Sequence, residues 1–152
     1  MRWLARELAC GGIVLLVSLQ QAALAAEFRS IGESFAVLYD APSAKAKKLY
    51  VMGRGYPLEV VVTLEGWTKV RDASGELFWV ENSNLSKDYH TVLVKAQLAD
   101  VRQAADDGSP LVFQAQRNVI LDLVEVTANG WAHVSHPDGQ SGFVKLSQIW
   151  GV

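Results

Sequence analysis

From Phe35 to the C-terminus, hydrophobic and polar positions alternate in short runs, and turn-forming residues interrupt them every few positions. Ala36 to Tyr39 reads as a strand closed by Asp40-Ala41-Pro42-Ser43, a turn-forming cluster. Ala44 to Lys48 holds three lysines and two alanines but is too short to bury a helical face, so it belongs to a long loop. A strand is expected from Lys48 to Met52, then a turn at Gly53-Arg54-Gly55-Tyr56-Pro57. Leu58 to Leu64, rich in valine, gives the clearest strand signal. Trp67 to Arg71 and Leu77 to Val80 flank Asp72-Ala73-Ser74-Gly75, whose glycine supplies the positive φ of a tight hairpin. Five short strands with frequent turns predict a small barrel rather than a helical domain.

The pattern then recurs. Gly66 and Gly130, Trp67 and Trp131, Val70 and Val134, Gly75 and Gly139, Val80 and Val144, and Leu85 and Ile149 all lie 64 residues apart. So many ungapped matches at one spacing establish an internal repeat. The second copy is expected to open with a strand at Ala99 to Arg102, which aligns with the first only after a one-residue shift. A loop at Ala104 to Pro110 follows. Further strands are expected at 111–115, 119–126, 131–135 and 141–144, with a 3₁₀-like turn near Leu146 to Ile149. Ser86 to Thr91 forms a polar linker too short for independent beads, so the two lobes are expected to dock.

A turn ending in Gly-Trp, a strand carrying Lys-Val, a glycine hairpin and a short aromatic-Val strand together resemble the bacterial SH3-like domain. The resemblance covers residues 30–152. It implies an all-β fold of two tandem SH3-like barrels, residues 30–86 and 92–152, of the kind found in envelope proteins of Gram-negative bacteria.

The N-terminus changes the compartment. Arg2 and Arg6 precede an apolar run from Ala9 to Leu19, and Ala23-Leu24-Ala25 offers small residues for a signal peptidase. Residues 1–25 are therefore expected to be a secretory signal peptide, with export to the periplasm or beyond and no membrane insertion of the mature chain. The run is short for a membrane span of about 20 residues. The single cysteine, Cys10, leaves with this segment, so the mature chain would hold neither a disulfide nor a thiol nucleophile. Removing Arg2, Arg6 and Glu7 takes the formal charge from −2 to −3, against a nucleic-acid partner.

Catalytic constellations are sparse. No Gly-x-Ser-x-Gly elbow occurs. His133 and His136 would point to opposite faces of a strand, which argues against a shared metal. Asp106-Asp107 sits beside Gly108 without the alternating oxygens of a calcium loop. The expectation is a non-enzymatic protein with no cofactor and no metal; a cell-wall hydrolase is the remote alternative.

Aromatic residues carry what remains. On a strand, Trp67 and Val70 face opposite ways, so a buried Val70 leaves Trp67 toward the surface. The resemblance implies a peptide groove formed by Trp67 with Tyr39. Lys45, Lys47 and Lys48 stand in the adjoining loop and could attract a carboxylate-bearing ligand. In the second repeat Trp131 is retained, but Arg102 or Gln103 replaces the tyrosine, so a structural role weighs more there. For Trp67 the structural and binding roles stay open. Two partner classes follow: a peptide-containing envelope component such as peptidoglycan or its stem peptides, or another envelope protein with this chain as adaptor or oligomerising module.

Overall fold

Strands form here where side chains alternate between a covered and an open side. The computed structural model describes residues 25–152; the signal peptide expected over residues 1–25 lies, but for Ala25, outside the described residues. The first sheet comprises β1 (Phe28–Ser30), β2 (Phe35–Tyr39), β3 (Lys48–Gly53), β4 (Pro57–Thr63), β5 (Trp67–Arg71) and β6 (Leu77–Glu81). The second comprises β7 (Thr91–Val94), β8 (Leu98–Arg102), β9 (Leu111–Gln116), β10 (Ile120–Val126), β11 (Trp131–Ser135), β12 (Ser141–Lys145) and β13 (Ile149–Trp150). Short 3₁₀ turns follow β6 and β12, at Asn82–Asn84 and Leu146–Gln148. The chain is all-β, in two sheets of one plan.

Strand order is β1-β4-β5-β6-β2-β3 in the first sheet and β13-β7-β10-β11-β12-β8-β9 in the second. Every neighbouring pair runs antiparallel. Even the irregularities repeat. A register shift interrupts β4 between Val60 and Val62, and β10 between Leu123 and Glu125. Another lies between Leu38 and Tyr39 in β2, and between Val101 and Arg102 in β8. Tyr39 pairs with Trp79 as Arg102 pairs with Phe143, which confirms the one-residue shift at the opening strand. The extra residue sits in one hairpin: Leu64 to Gly66 joins β4 to β5, whereas Thr127 to Gly130 joins β10 to β11.

Sequence pattern did not disclose β1, β7 or β13. Strands of two to four residues hold less than two alternations, and the entirely buried Thr-Val-Leu-Val of β7 has none. Their pairing is non-local: Phe28 to Ser30 run beside Glu59 to Pro57, and Ile149-Trp150 beside Val94-Leu93.

Each sheet closes over its own core. Ile31, Leu38, Leu58, Val70, Phe78 and Val80 fill the first; Val94, Val101, Leu121, Val134, Val144 and Ile149 lie in the second. The fillings differ at matched places. Phe78 is buried in β6, but its counterpart in β12 is Gly142, where a Cβ would stand 2.5 Å from the Arg102 carbonyl oxygen. Buried Thr68 donates its hydroxyl to Asn82 Oδ1 at 2.6 Å, and Asn82 Nδ2 donates to the Leu64 carbonyl. The second lobe has Ala132 and Leu146 there instead.

The lobes dock, through polar as well as apolar contacts. Ser30 and Thr91, 1% and 2% exposed, share a hydroxyl–hydroxyl hydrogen bond of 2.8 Å across the seam. The Thr91 N–H donates to Ser30 Oγ, and its hydroxyl also reaches the Gly55 carbonyl oxygen. Tyr89 donates its hydroxyl to the Ile31 carbonyl at 2.7 Å. Phe28 meets Trp150 edge to face, ring centres 4.9 Å apart. Gly151, at φ +119°, lets the chain end pass the Thr91 carbonyl and Pro57, where a side chain has no room.

Candidate functional site

The outward faces of β2, β5 and β6 form the most aromatic surface of the first sheet. Alternation in β5 buries Thr68 and Val70 and turns Trp67, Lys69 and Arg71 outward. In β6 it buries Phe78 and Val80 and turns Trp79 and Glu81 outward. Tyr39 is the direct partner of Trp79, and Trp67 of Glu81. These pairings bring the Tyr39 and Trp67 rings edge to face, 5.3 Å between centres and 86° between planes. The Lys69 ammonium lies over the Trp79 ring, 5.9 Å from its centre, within cation–π reach.

Beside this pair opens a cleft of about 360 Å³, lined by Glu33, Ser34, Phe35, Val37, Tyr39, Glu81 and Asn84. Phe35 is 59% exposed, and Val51, the partner of Val37 on β3, is 66% exposed. Such large apolar side chains left open beside an aromatic pair offer contact area to a partner.

Of the residues singled out from sequence, Tyr39 and Trp67 come together. Tyr39 is only 7% exposed, so it packs against Trp67 and leaves little of its own ring open to a ligand. Lys45, Lys47 and Lys48 are exposed, and none forms an ion pair among the described residues. Lys48 sits opposite Tyr39 on β3, while the Lys47 N–H binds Asp40 Oδ1 and so shapes the loop. None of the three lysines lines the cleft; its charged residues are Glu33 and Glu81, which reverses the expected electrostatic sign. The loop folds along β2 and β3, and the carboxylates arrive from the segment before β2 and the end of β6, which spacing alone does not bring together.

Trp131 stands apart. It lies in the second sheet, is 7% exposed, and carries the Lys145 ammonium 5.5 Å from its ring centre. Arg102, in the place of Tyr39, is bound to Asp100 and to the Ser109 carbonyl. The second lobe thus has no equivalent of the Tyr39–Trp67 pair; buried and with Lys145 over its ring, Trp131 offers little surface to a ligand.

The histidines are engaged separately. His133 stacks on Phe143 with ring centres 4.8 Å apart, while His136 pairs with Asp138 at 2.9 Å and packs edge-on to Phe113. The Gln140 N–H, followed by His136, holds the exposed Asp138 carboxyl below its ordinary value. Burial and then the Asp72 carboxylate push the Tyr56 phenol up from 10.0. Both shifts belong to turns. No group of three or more His, Cys, Asp or Glu is placed to hold a metal among the described residues, and no helix there is long and apolar enough to cross a membrane.

Similar solved structures include NlpC2 from Trichomonas vaginalis, 10% identical over 84% of this chain and 49% of that one, TM-score 0.39. NlpC1 from the same organism is 12% identical over 95% and 52%, TM-score 0.39. An NlpC/P60 family protein from Bacillus cereus ATCC 10987 is 16% identical over 82% and 56%, TM-score 0.38. The chain spans about half the length of these proteins, and likeness at this level says nothing about shared activity. A search of curated proteins finds no match. The bacterial SH3 domain model matches residues 32–87 and again 95–151, one match on each sheet, so the chain belongs to the bacterial SH3 domain family as a tandem of two.

Proposed function

We propose that this tandem is an exported, non-enzymatic binding module that recognises a peptide-containing component of the cell envelope, such as a peptidoglycan stem peptide. The observation that carries the reading is the edge-to-face pair of Trp67 and Tyr39, of which Tyr39 lines an open cleft with Phe35 and Val37. A preorganised aromatic contact costs little side-chain entropy on binding. Glu33 and Glu81 would meet amino groups of the ligand, while the exposed lysines of the 40–48 loop stand outside the cleft.

The test is sedimentation of the purified chain with insoluble peptidoglycan, with Trp67→Ala in parallel. Pelleting of the wild type and loss of pelleting in the variant is the expected result. If neither pellets, wall binding is abandoned; if both pellet equally, binding is real but lies away from Trp67.

A second reading, an adaptor for another envelope protein, draws on one observation. Phe35 on β2 and Val51 on β3 are exposed, and the outer edge of β3 pairs with no other strand among the described residues. Free edges accept a partner strand. Cross-linking in the envelope that traps a protein partner through residues 48–53 is the result expected of it.

A further inference from the structure

The seam between the lobes holds a second cleft, of about 480 Å³, separate from the Tyr39–Trp67 face. Its walls come from both lobes: Arg54 and Gly55 from the first, Thr91, Ile120, Asp122 and Pro137 from the second, with Tyr89 of the linker between them. The position of Ile120 follows from alternation in β10. Leu121 turns into the second core, so Ile120 and Asp122 face the other way, toward the β3–β4 turn of the first lobe. A Cβ added at Gly55 would touch Ile120 Cγ2 at 3.5 Å, so glycine backbone and isoleucine together make an apolar floor.

Two opposite charges flank this floor and leave each other alone. Arg54 and Asp122 form no ion pair with each other or with any other described residue. The Arg54 guanidinium is nevertheless placed, 5.7 Å from the centre of the Tyr89 ring. That ring is fixed in turn by its hydroxyl, which donates to the Ile31 carbonyl. A guanidinium held on an aromatic face keeps its planar fork of donors for a carboxylate. A free carboxylate across an apolar floor is the complementary acceptor for an ammonium group.

We propose that this seam cleft binds a zwitterionic amino-acid or short-peptide group, its carboxylate on Arg54, its ammonium on Asp122, and its side chain on Ile120, Pro137 and the Tyr89 ring. The volume falls in the range of small-ligand sites, which begins near about 300 Å³. Because both lobes supply the walls, the ligand binds the docked arrangement and holds it together. The site does not depend on the Tyr39–Trp67 face, so peptidoglycan sedimentation and the experiment below can fail independently.

The probe is dialanine, in its L,L and D,D forms, titrated into the labelled full chain and followed by amide NMR. Saturable shifts are expected at Gly55, Tyr89, Thr91 and Ile120. N-acetylation of the probe, or amidation of its carboxylate, is expected to weaken binding by about tenfold, the loss of one charge-assisted hydrogen bond. Arg54→Gln and Asp122→Asn, both at exposed positions, are expected to do the same while keeping a dispersed, folded spectrum. Absence of saturable shifts at these amides with both dipeptides overturns the proposal. So does binding that persists unchanged when either charge is removed from the probe or from the protein.

Discussion

Gly142 shows how one residue separates two copies of the same plan. Phe78, its counterpart, fills the first core, whereas Gly142 lets β12 lie against the Arg102 carbonyl and the Val101 side chain. A Cβ there would lie 2.5 Å from backbone oxygen, which cannot move without the strand. Gly142→Ala is therefore expected to destabilise the chain by about 2–3 kcal/mol, the cost of overpacking, measured by urea unfolding. Tyr56 gives a prediction in pH. Its folded-state value lies above 10.0, so the folded chain holds the phenolic proton more tightly than the unfolded chain does. The resulting stabilisation is complete below pH 10 and is lost as pH rises through the folded value. Tyr56→Phe should flatten that alkaline decline; an unchanged slope in unfolding midpoints from pH 9 to about pH 11 would assign the decline elsewhere.

Among elements, the most informative comparison is the pair Thr68–Asn82 against Ala132–Leu146. Both pairs stand at the start of the fifth strand of the plan and the 3₁₀ turn after the sixth, one polar and one apolar. Removing one partner of a buried hydrogen bond strands the other, whereas exchanging both for apolar groups can be nearly neutral. Thr68→Ala alone should cost about 1–2 kcal/mol, and Thr68→Ala with Asn82→Leu distinctly less than the sum of the singles. A double-mutant cycle by chemical denaturation reads this, and strict additivity would deny the coupling. The strands themselves were largely legible. Alternation in Trp67–Arg71 and Leu77–Glu81, with glycines at positive φ in the turns at Gly66 and Gly75, specified register and hairpins from local chemistry alone. Strands β1, β7 and β13 were not, because so few residues carry no period and their pairing depends on chain folded in from elsewhere.

For the whole molecule, the seam decides whether the two lobes behave as one. Thr91 sits at its centre, 2% exposed, bonded to Ser30 and to the Gly55 carbonyl. Thr91→Val keeps the shape and removes the hydroxyl, leaving buried polar atoms on the first lobe without their partner. It should cost about 1–3 kcal/mol and reduce cooperativity between lobes. Hydrogen exchange of β5 and β11 amides checks this. In the wild type both should exchange through one global opening, and in the variant the two sets should separate.

What the sequence determined by itself is whatever neighbours along the chain can enforce: two copies of one β plan, their turns, the inward set of each strand, and the outward turn of Trp67. What only the tertiary structure decided is which outward residues remain open and what surrounds them. Trp67 and Trp131 share the same local pattern, yet Trp131 is buried with Lys145 over its ring, while Trp67 stays half-buried against Tyr39, which lines a cleft. The expected lysine-lined groove became a cleft carrying Glu33 and Glu81, because distant segments meet there. The Ser30–Thr91 bond joins residues 61 positions apart. Alternation is a local steric property of the backbone. Burial and charge environment depend on which remote surfaces exclude water together, and no short stretch of sequence encodes that.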